Sequence, residues 1–430
     1  MRTTKALTPI AIALGLAFTT TGALATDGYF AEGYGMTARG MGGASLATAQ
    51  DAFGGANNPA SMAFVGNRLD LGLYFFRPDR GAERTGALAP INGSVESDRG
   101  TFYVPEVAVN WMWRPDVALG LTIYGNGGMN TTYPGGQINC GAGPANLLCG
   151  AGELGVDLSQ LIVAPTLAWQ FMPNHSVGVS PLFGYQRFEA NGLQAFDNAP
   201  GFPPFTAYPG FVTNKGYDSS TGWGFRIGYQ GKIDQFRVGA VYTSKMGMGE
   251  FDEYKGLFAE QGGMDIPSHW GVGFAWEPDG KWLVAFDYER INYSDVKSVH
   301  NPSTTQAPLG TNDGPGFGWQ DIDVFRLGVQ YRIDPTWTVR AGYNRSDNPI
   351  TPRDVTFNIL APGTVQDHIT FGFSYAIDKA SEITAMYGHA FKKEVTGSSL
   401  FNNVLGPGAG GTEKIWLSED VIGIGFSMKF

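Results

Sequence analysis

His368-Ile-Thr-Phe-Gly-Phe-Ser-Tyr-Ala-Ile377 alternates without a break. In an extended chain Ile369, Phe371, Phe373, Tyr375 and Ile377 share one side, while His368, Thr370, Gly372, Ser374 and Ala376 share the other. Successive side chains of a strand point to opposite faces, so a period of two marks a strand with one greasy and one polar or small face. The pattern recurs nearby. Trp282, Val284, Phe286 and Tyr288 alternate with Leu283, Ala285, Asp287 and Glu289, and Phe325, Leu327, Val329 and Tyr331 with Val324, Arg326, Gly328 and Gln330.

Carrying this reading outward predicts fourteen strands, near 67–80, 100–113, 117–129, 156–171, 176–190, 219–233, 236–249, 264–277, 281–295, 321–333, 336–347, 367–377, 381–394 and 419–430. Most exceed the five or six residues usual in soluble sheets and suit a tilted crossing of about 9–11 residues in a bilayer. The connections alternate too. Arg114-Pro115-Asp116, Met172 to His175, Asp234-Gln235, Pro278-Asp279-Gly280, Asp334-Pro335 and Asp378-Lys379-Ala380 are tight turns. Between them run long segments at 81–99, 130–155, 191–218, 250–263, 296–320, 348–366 and 395–418. Short turns at one end and long loops at the other is the plan of outer-membrane barrels. Aromatics flank the turns (Trp111, Trp113, Trp169, Phe171, Trp223, Trp276, Trp282, Trp337), as interfacial belts do. The last stretch sets Ile422, Ile424, Phe426, Met428 and Phe430 on one face.

An open sheet in lipid leaves backbone groups unpaired at several kcal/mol each, so these strands must close. The fold class expected is all-β: a 14-stranded antiparallel transmembrane β-barrel plugged by an N-terminal hatch. A lumen of that width exceeds what wall side chains alone need fill. The filling expected is the segment after the export signal, TDGYFAEGYGMTARGMGGASLATAQDAFGGANNPASMAF, Thr26 to Phe64, which is rich in Gly, Ala and Asn and lacks alternation. Ahead of it, Arg2 and Lys5 precede a short apolar run, Ile10 to Phe18, and a small-residue Ala23-x-Ala25 site. That is the form of a secretory signal peptide. The domain reading is 1–25 signal peptide, 26–65 hatch and 66–430 barrel, placed in a Gram-negative outer membrane.

Composition agrees. Hydrophobic residues make up 43%, aromatics 13% and charged residues only 16%, with 62 glycines and a net charge of -10. The acidic balance argues against a nucleic-acid partner. The two cysteines, Cys140 and Cys149, lie close in an exported chain and predict one disulfide. The five histidines are scattered, and no G-x-S-x-G, H-E-x-x-H or Cys/His metal spacing occurs. No enzyme, cofactor or metal is expected, and the chain is read as a monomer. Inward positions place Arg226, Arg326 and Arg340 in the lumen. Loop residues Leu147, Leu148, Phe202, Phe205, Phe211, Leu257 and Phe258 form apolar patches of the kind that mark ligand sites. Gly125-Asn126-Gly127-Gly128 falls where a bulge would interrupt a strand.

The hatch segment, with Gly35, Arg39-Gly40, Gly42-Gly43-Ala44, Ala47, Asp51-Ala52 and above all Asn58-Pro59-Ala60, resembles the N-terminal region of the FadL/TodX outer-membrane transporters. The Ile266-Pro267-Ser268 lead-in to a strand with Gly271 and Gly273, and the terminal Phe430, extend the resemblance over essentially the mature chain. The resemblance implies uptake of long-chain fatty acids or, in some members, aromatic hydrocarbons. The route it implies runs from a groove among the loops to a pocket in the barrel, past a rearranging hatch, and sideways through the wall at a kink in the third strand, here at Gly125 to Gly128. It makes Asn58, Pro59 and Ala60 the hatch anchor and brings Tyr29 and Phe30 to the inner pocket, with the lumen-facing Arg226, Arg326 and Arg340 as options for a substrate's carboxylate. A non-specific porin and a surface adhesin are the competing readings. The partners implied are a hydrophobic small molecule, outer-membrane lipid and lipopolysaccharide, and the barrel-assembly machinery that reads the terminal strand.

Overall fold

The computed structural model describes residues 27–88, 90–141, 143–199 and 204–430. The expected signal peptide, Thr26 and Phe202 lie outside the described residues. In chain order the barrel strands are β1 (Arg68–Thr85), β2 (Phe102–Arg114), β3 (Val117–Asn130), β4 (Gly155–Met172), β5 (His175–Asn191), β6 (Asp218–Ile233) and β7 (Phe236–Thr243). There follow β8 (His269–Trp276), β9 (Trp282–Ile291), β10 (Ile322–Arg332), β11 (Trp337–Ser346), β12 (Asp367–Ala376), β13 (Ser381–Ser398) and β14 (Thr412–Lys429). Each pairs antiparallel with the next, and β14 pairs with β1 from Arg68↔Lys429 to Thr85↔Thr412, which closes the sheet. The fourteen strands are those the alternation predicts.

The two faces divide as the period of two requires. On β12 Phe371, Phe373 and Tyr375 are exposed toward lipid while Thr370 and Ser374 are buried; on β14 Ile422, Ile424 and Phe426 face out. Some boundaries shift for local reasons. The strand expected from 264 begins at His269, because Pro267 lacks the N–H a ladder needs. The strand expected to reach 249 stops at Thr243, and Gly247–Met248 folds back onto Gly222 and Trp223 of β6. A Cβ at Gly222 or Gly224 would lie 2.5 Å or 2.6 Å from the Met248 and Met246 side chains, so those glycines are the floor on which the methionines rest.

The hatch lies inside. Every residue from Asp27 to Thr48 is buried. Its regular structure is one turn of helix, α1 (Met36–Arg39), and 3-10 turns at Phe53–Gly55 and Pro59–Phe64. A Gly/Ala-rich chain can fill a barrel only if its backbone groups find partners in the wall. They do: Asp287 on β9 accepts from the amides of Ser45 (2.6 Å) and Leu46 (2.9 Å), Asp70 on β1 from Ala52 (2.7 Å), and Thr370 on β12 from Gly42 (2.8 Å). Glycines on the wall admit it. A Cβ at Gly239 would sit 1.9 Å from the Leu46 carbonyl, and one at Gly342 would sit 2.0 Å from the Gly42 nitrogen.

Candidate functional site

Among the described residues the barrel wall has an open seam between β2 and β3, besides a short break in the β4–β5 ladder between Val163↔Phe183 and Leu167↔Val179, where Pro165 and Pro181 lack N–H groups. β2 and β3 are paired only up to Val107↔Ile123. Beyond that β2 continues to Phe102 paired with β1 alone, and β3 continues to Asn130 paired with β4 alone. The cause is in β3: its register against β4 shifts between Gly125 and Gly127, which leaves Asn126 as an extra residue. A bulge bends its strand and increases twist, and here it carries the upper part of β3 away from β2.

The hatch occupies this gap. Asp27 to Phe30 form a turn, with Asp27 N to Phe30 O at 3.0 Å, and Phe30 pairs with Gly127 as an isolated antiparallel bridge. The Gly128 amide donates to the Tyr29 carbonyl (3.2 Å) and the Ala31 amide to the Asn126 carbonyl (3.4 Å). Tyr34 packs on Tyr124 with centroids 4.4 Å apart and donates its hydroxyl to the Asn126 carbonyl (3.1 Å). On the β2 side the Gly35 amide donates to Glu106 (3.2 Å). Nine residues of hatch, Asp27 to Gly35, therefore hold both lips of the gap.

The tip is also fixed by the long connection between β9 and β10. The Tyr293 hydroxyl donates to the Asp27 carbonyl (2.6 Å) and accepts from the Tyr29 amide (3.2 Å). The Tyr29 ring lies between Phe30 (5.1 Å), Tyr293 (5.4 Å) and Trp319 (5.9 Å). Trp319 is held by Asn358 through its indole N–H (2.6 Å). A cavity of about 30 Å³ remains beside Tyr29, bounded by Phe76, Arg80, Met129, Trp319 and Leu417. That is room for a water molecule, not for a substrate.

A buried chain of charges runs along the wall. The Asp27 carboxylate accepts from Arg326 (2.7 Å) and Asn344 (3.3 Å). Arg326 also pairs with Glu289, and Glu289 with His269. His269 lies 3.4 Å from Arg226, which donates to the hatch carbonyls of Gly55 (2.7 Å) and Ala56 (2.5 Å). Burial lifts the Asp27 carboxyl above its ordinary range, and Arg326 pulls it back. Of the three lumen arginines read from the alternation, Arg226 and Arg326 thus bind the hatch, while Arg340 is held by Gln330 (2.8 Å) and Ser374 (2.7 Å).

Asn58, Pro59 and Ala60 tie the other end of the hatch to β5 and β6. Asn58 caps the 3-10 turn by accepting from the Ala60 amide (3.1 Å), and its amide donates to Leu46 O (2.7 Å) and Tyr229 O (3.0 Å). The Ala60 carbonyl accepts from Ser176 (2.8 Å). Gly178 and Gly228 leave the space: a Cβ there would stand 2.4 Å from the Pro59 carbonyl carbon and 2.1 Å from Asn58 Oδ1.

Above the barrel the loops form an apolar groove of about 250 Å³, lined by Phe196, Phe205, Leu309, Phe357, Phe401, Val404 and short Ser, Thr and Pro segments, with no lysine or arginine among the lining residues. Of the predicted loop residues that are described, only Phe205 lines it. Leu147, Leu148 and Phe258 are buried instead of forming an exposed patch, which corrects that expectation. Leu147 and Leu148 lie within the loop closed by the Cys140–Cys149 disulfide (Cα–Cα 5.7 Å), where Asn146 bonds the turn together, and Phe258 packs on Phe188 at 4.6 Å. Leu257 joins the same core from its edge. Phe211 carries the Lys255 ammonium over its ring at 3.9 Å. Sequence reasoning missed Tyr293, Trp319, Phe196, Phe357 and Phe401. Trp319, Phe196, Phe357 and Phe401 lie in segments without periodicity, so no pattern separated them from other loop aromatics; Tyr293 falls in the run read as strand 281–295, but β9 ends at Ile291 and Tyr293 opens a 3-10 turn (Tyr293–Asp295).

The sequence matches the family model described as outer membrane protein transport protein (OMPP1/FadL/TodX) over residues 13–411. No curated protein matches it significantly. Among solved structures it is similar to the toluene transporter TodX of P. putida (19% identity, 93% of this chain and 99% of that one, TM-score 0.69). It is also similar to a FadL homologue of Pseudomonas aeruginosa (17%, 94% and 100%, 0.69) and to the toluene transporter TbuX of Ralstonia pickettii (18%, 93% and 99%, 0.63). At such identities the likeness establishes a common fold, and the family model establishes kinship. The chain belongs to the outer membrane protein transport protein family (OMPP1/FadL/TodX), whose members are transport proteins and not enzymes.

Proposed function

We propose that the protein is a passive, hatch-gated channel that takes up hydrophobic small molecules and releases them sideways through the gap between β2 and β3. The observation that carries this reading is the gap itself, left by the Asn126 bulge and occupied by Asp27 to Gly35. An apolar molecule gains nothing from a water-filled pore. It gains about 0.8 kcal/mol per methylene on every surface that keeps it out of water. Arrival in the loop groove, passage along the aromatic tip and exit into lipid keeps it on such surfaces throughout. The seam contacts are worth about 1 kcal/mol each net. A chain of about ten methylenes supplies about 8 kcal/mol, enough to displace them.

The favoured substrates are long-chain fatty acids, because the lumen holds a buried arginine cradle at Arg326 beside an aromatic collar. Aromatic hydrocarbons are the second reading, favoured by the groove, whose lining is Phe-rich and without a cation. The same reading places the chain in the outer membrane as a monomer after removal of residues 1–25, inserted by the barrel-assembly machinery among lipid and lipopolysaccharide. Uptake of labelled oleate and labelled toluene by cells with and without the protein tests it. Uptake of at least one should depend on the protein; if neither does, the transport reading is wrong. A general porin would instead conduct steadily in planar bilayers whether or not residues 26–64 were present.

A further inference from the structure

Arg326 on β10, Asn344 on β11 and His368 on β12 are direct cross-strand neighbours on the inner face of the wall. All three are buried, and they surround one carboxylate, that of Asp27. The fit is incomplete. Only Asp27 Oδ2 is used; Oδ1 is buried without a partner among the described residues. The Arg326 Nε and both ring nitrogens of His368 are likewise buried and unpartnered among the described residues. A guanidinium can grip both oxygens of a carboxylate at once, and such charge-assisted bidentate pairs are about twice as strong as neutral hydrogen bonds. Asp27 cannot offer that grip, because its backbone is held by Tyr293 and by the Phe30 turn.

We propose that the cradle of Arg326, Asn344 and His368 is the binding site for the carboxylate of an amphiphilic acid, and that Asp27 fills it as an internal competitor. A free acid, unconstrained by backbone, brings both oxygens to Arg326 and lays its tail against Tyr293 and Trp319, where the Tyr29 ring stands in the seated hatch. One carboxylate replaces another on the same donors, so the charge of the cradle is unchanged. What changes is the hatch. Asp27 is three residues from Phe30, and Tyr29 to Ala31 form the seam with β3. Displacing Asp27 removes one end of the turn that holds the seam, so acid binding and gate release become the same event. This rests on the uptake reading above and adds how the channel recognises an acid.

The test is equilibrium binding of labelled oleate and labelled oleyl alcohol to the full purified protein in nanodiscs, with Asp27→Asn and the charge-balanced pair Arg326→Gln with Glu289→Gln. Asp27→Asn should tighten oleate by about tenfold or more, because the competing state is destabilised, and leave oleyl alcohol unchanged. The charge-balanced pair should weaken oleate by about tenfold without affecting the alcohol. Unchanged or weaker oleate binding in Asp27→Asn, or equal effects on both ligands, would overturn the proposal and leave Asp27–Arg326 a purely structural ion pair. If either variant fails to give a heat-modifiable barrel, amide exchange in the wild type decides instead. Oleate, and not oleyl alcohol, should speed exchange at Tyr29 to Gly35, and equal effects would refute the exchange. Protein-dependent oleate uptake that ignores Asp27→Asn sinks this inference alone; no protein-dependent uptake of any kind sinks the uptake reading.

Discussion

Gly127→Ala isolates the contact between hatch and wall. Gly127 has no left-handed φ, so its backbone accepts an alanine. In a strand the exchange by itself favours alanine by about 0.5–1 kcal/mol. What opposes it is the Tyr29 carbonyl oxygen, 1.8 Å from where the methyl would stand. Real Cβ atoms never come that close, so the tip must withdraw or the strand must shift. Overpacking of this kind costs about 1–3 kcal/mol. A tip that slides back within the gap instead forfeits the Gly128–Tyr29 and Ala31–Asn126 hydrogen bonds, about 1 kcal/mol each. The seated tip should therefore lose about 1–3 kcal/mol relative to the released one, a shift of roughly 5-fold to 150-fold in their ratio. Amide exchange at Tyr29 to Tyr34, followed by mass spectrometry in nanodiscs, should speed up by that factor, while the β9 to β12 amides keep wild-type protection. Substrate uptake at low concentration should rise. A folded Gly127→Ala barrel whose tip exchanges at the wild-type rate would refute the reasoning, because the methyl would then fit without moving the tip.

Tyr293→Phe keeps the ring against Tyr29 but removes the hydroxyl that serves two backbone groups, so it should loosen the tip by about 2–4 kcal/mol, read by the same exchange experiment. Asn58→Ala leaves the Leu46 and Tyr229 carbonyls and the Ala60 amide without their partner, and should cost the hatch about 2–5 kcal/mol; single-channel recordings should show long conducting openings that the wild type lacks. Asp51, in the hatch, has its carboxyl pushed up to about 6, by burial first and then by Asp70, against the pull of Arg68 and Arg340. The seated form thus holds a proton that a released hatch gives up near the ordinary value of 3.8. Seating is firmest below about pH 4, weakens as pH rises to about 6, and is level above that. Tip protection should fall between pH 4 and pH 7 in the wild type and fall less in Asp51→Asn. Cys140→Ser with Cys149→Ser opens a short loop whose closure is worth about 2–3 kcal/mol in the chain-entropy view; proteinase K should then cut between residues 131 and 154 while the barrel resists.

The wall was legible because lipid imposes one rule on every strand. A face such as Ile369, Phe371, Phe373 and Tyr375 must be apolar for the whole crossing, and the period survives any tertiary detail. The inward direction of Arg226 and Arg326 followed from the same rule. Their partners did not, since the carbonyls of Gly55 and Ala56 meet Arg226 across 170 residues of chain. The bulge was legible as a glycine cluster inside a strand, but its consequence was not: that β2 and β3 part beyond Val107↔Ile123 is a matter of three strands together. The loops misled most. Leu147 and Leu148 look exposed in a Gly-rich segment, yet the disulfide and Asn146 fold that segment so that both join the main core. Trp319 carries the tip from irregular chain, where hydrophobic period says nothing, and Tyr293 from just past the end of β9, inside a run whose alternation reads as strand.

Deleting Asn126 tests the central claim most directly. It is the one extra residue in β3, and without it Gly125 and Gly127 pair with Leu161 and Gln160 in a single register. The strand then has no reason to leave β2, and the gap in the wall closes. The barrel should still fold and shift on heating, and uptake of labelled oleate and toluene should fall to the level of cells without the protein. Uptake at the wild-type rate through a folded, bulge-free barrel would contradict exit through the wall.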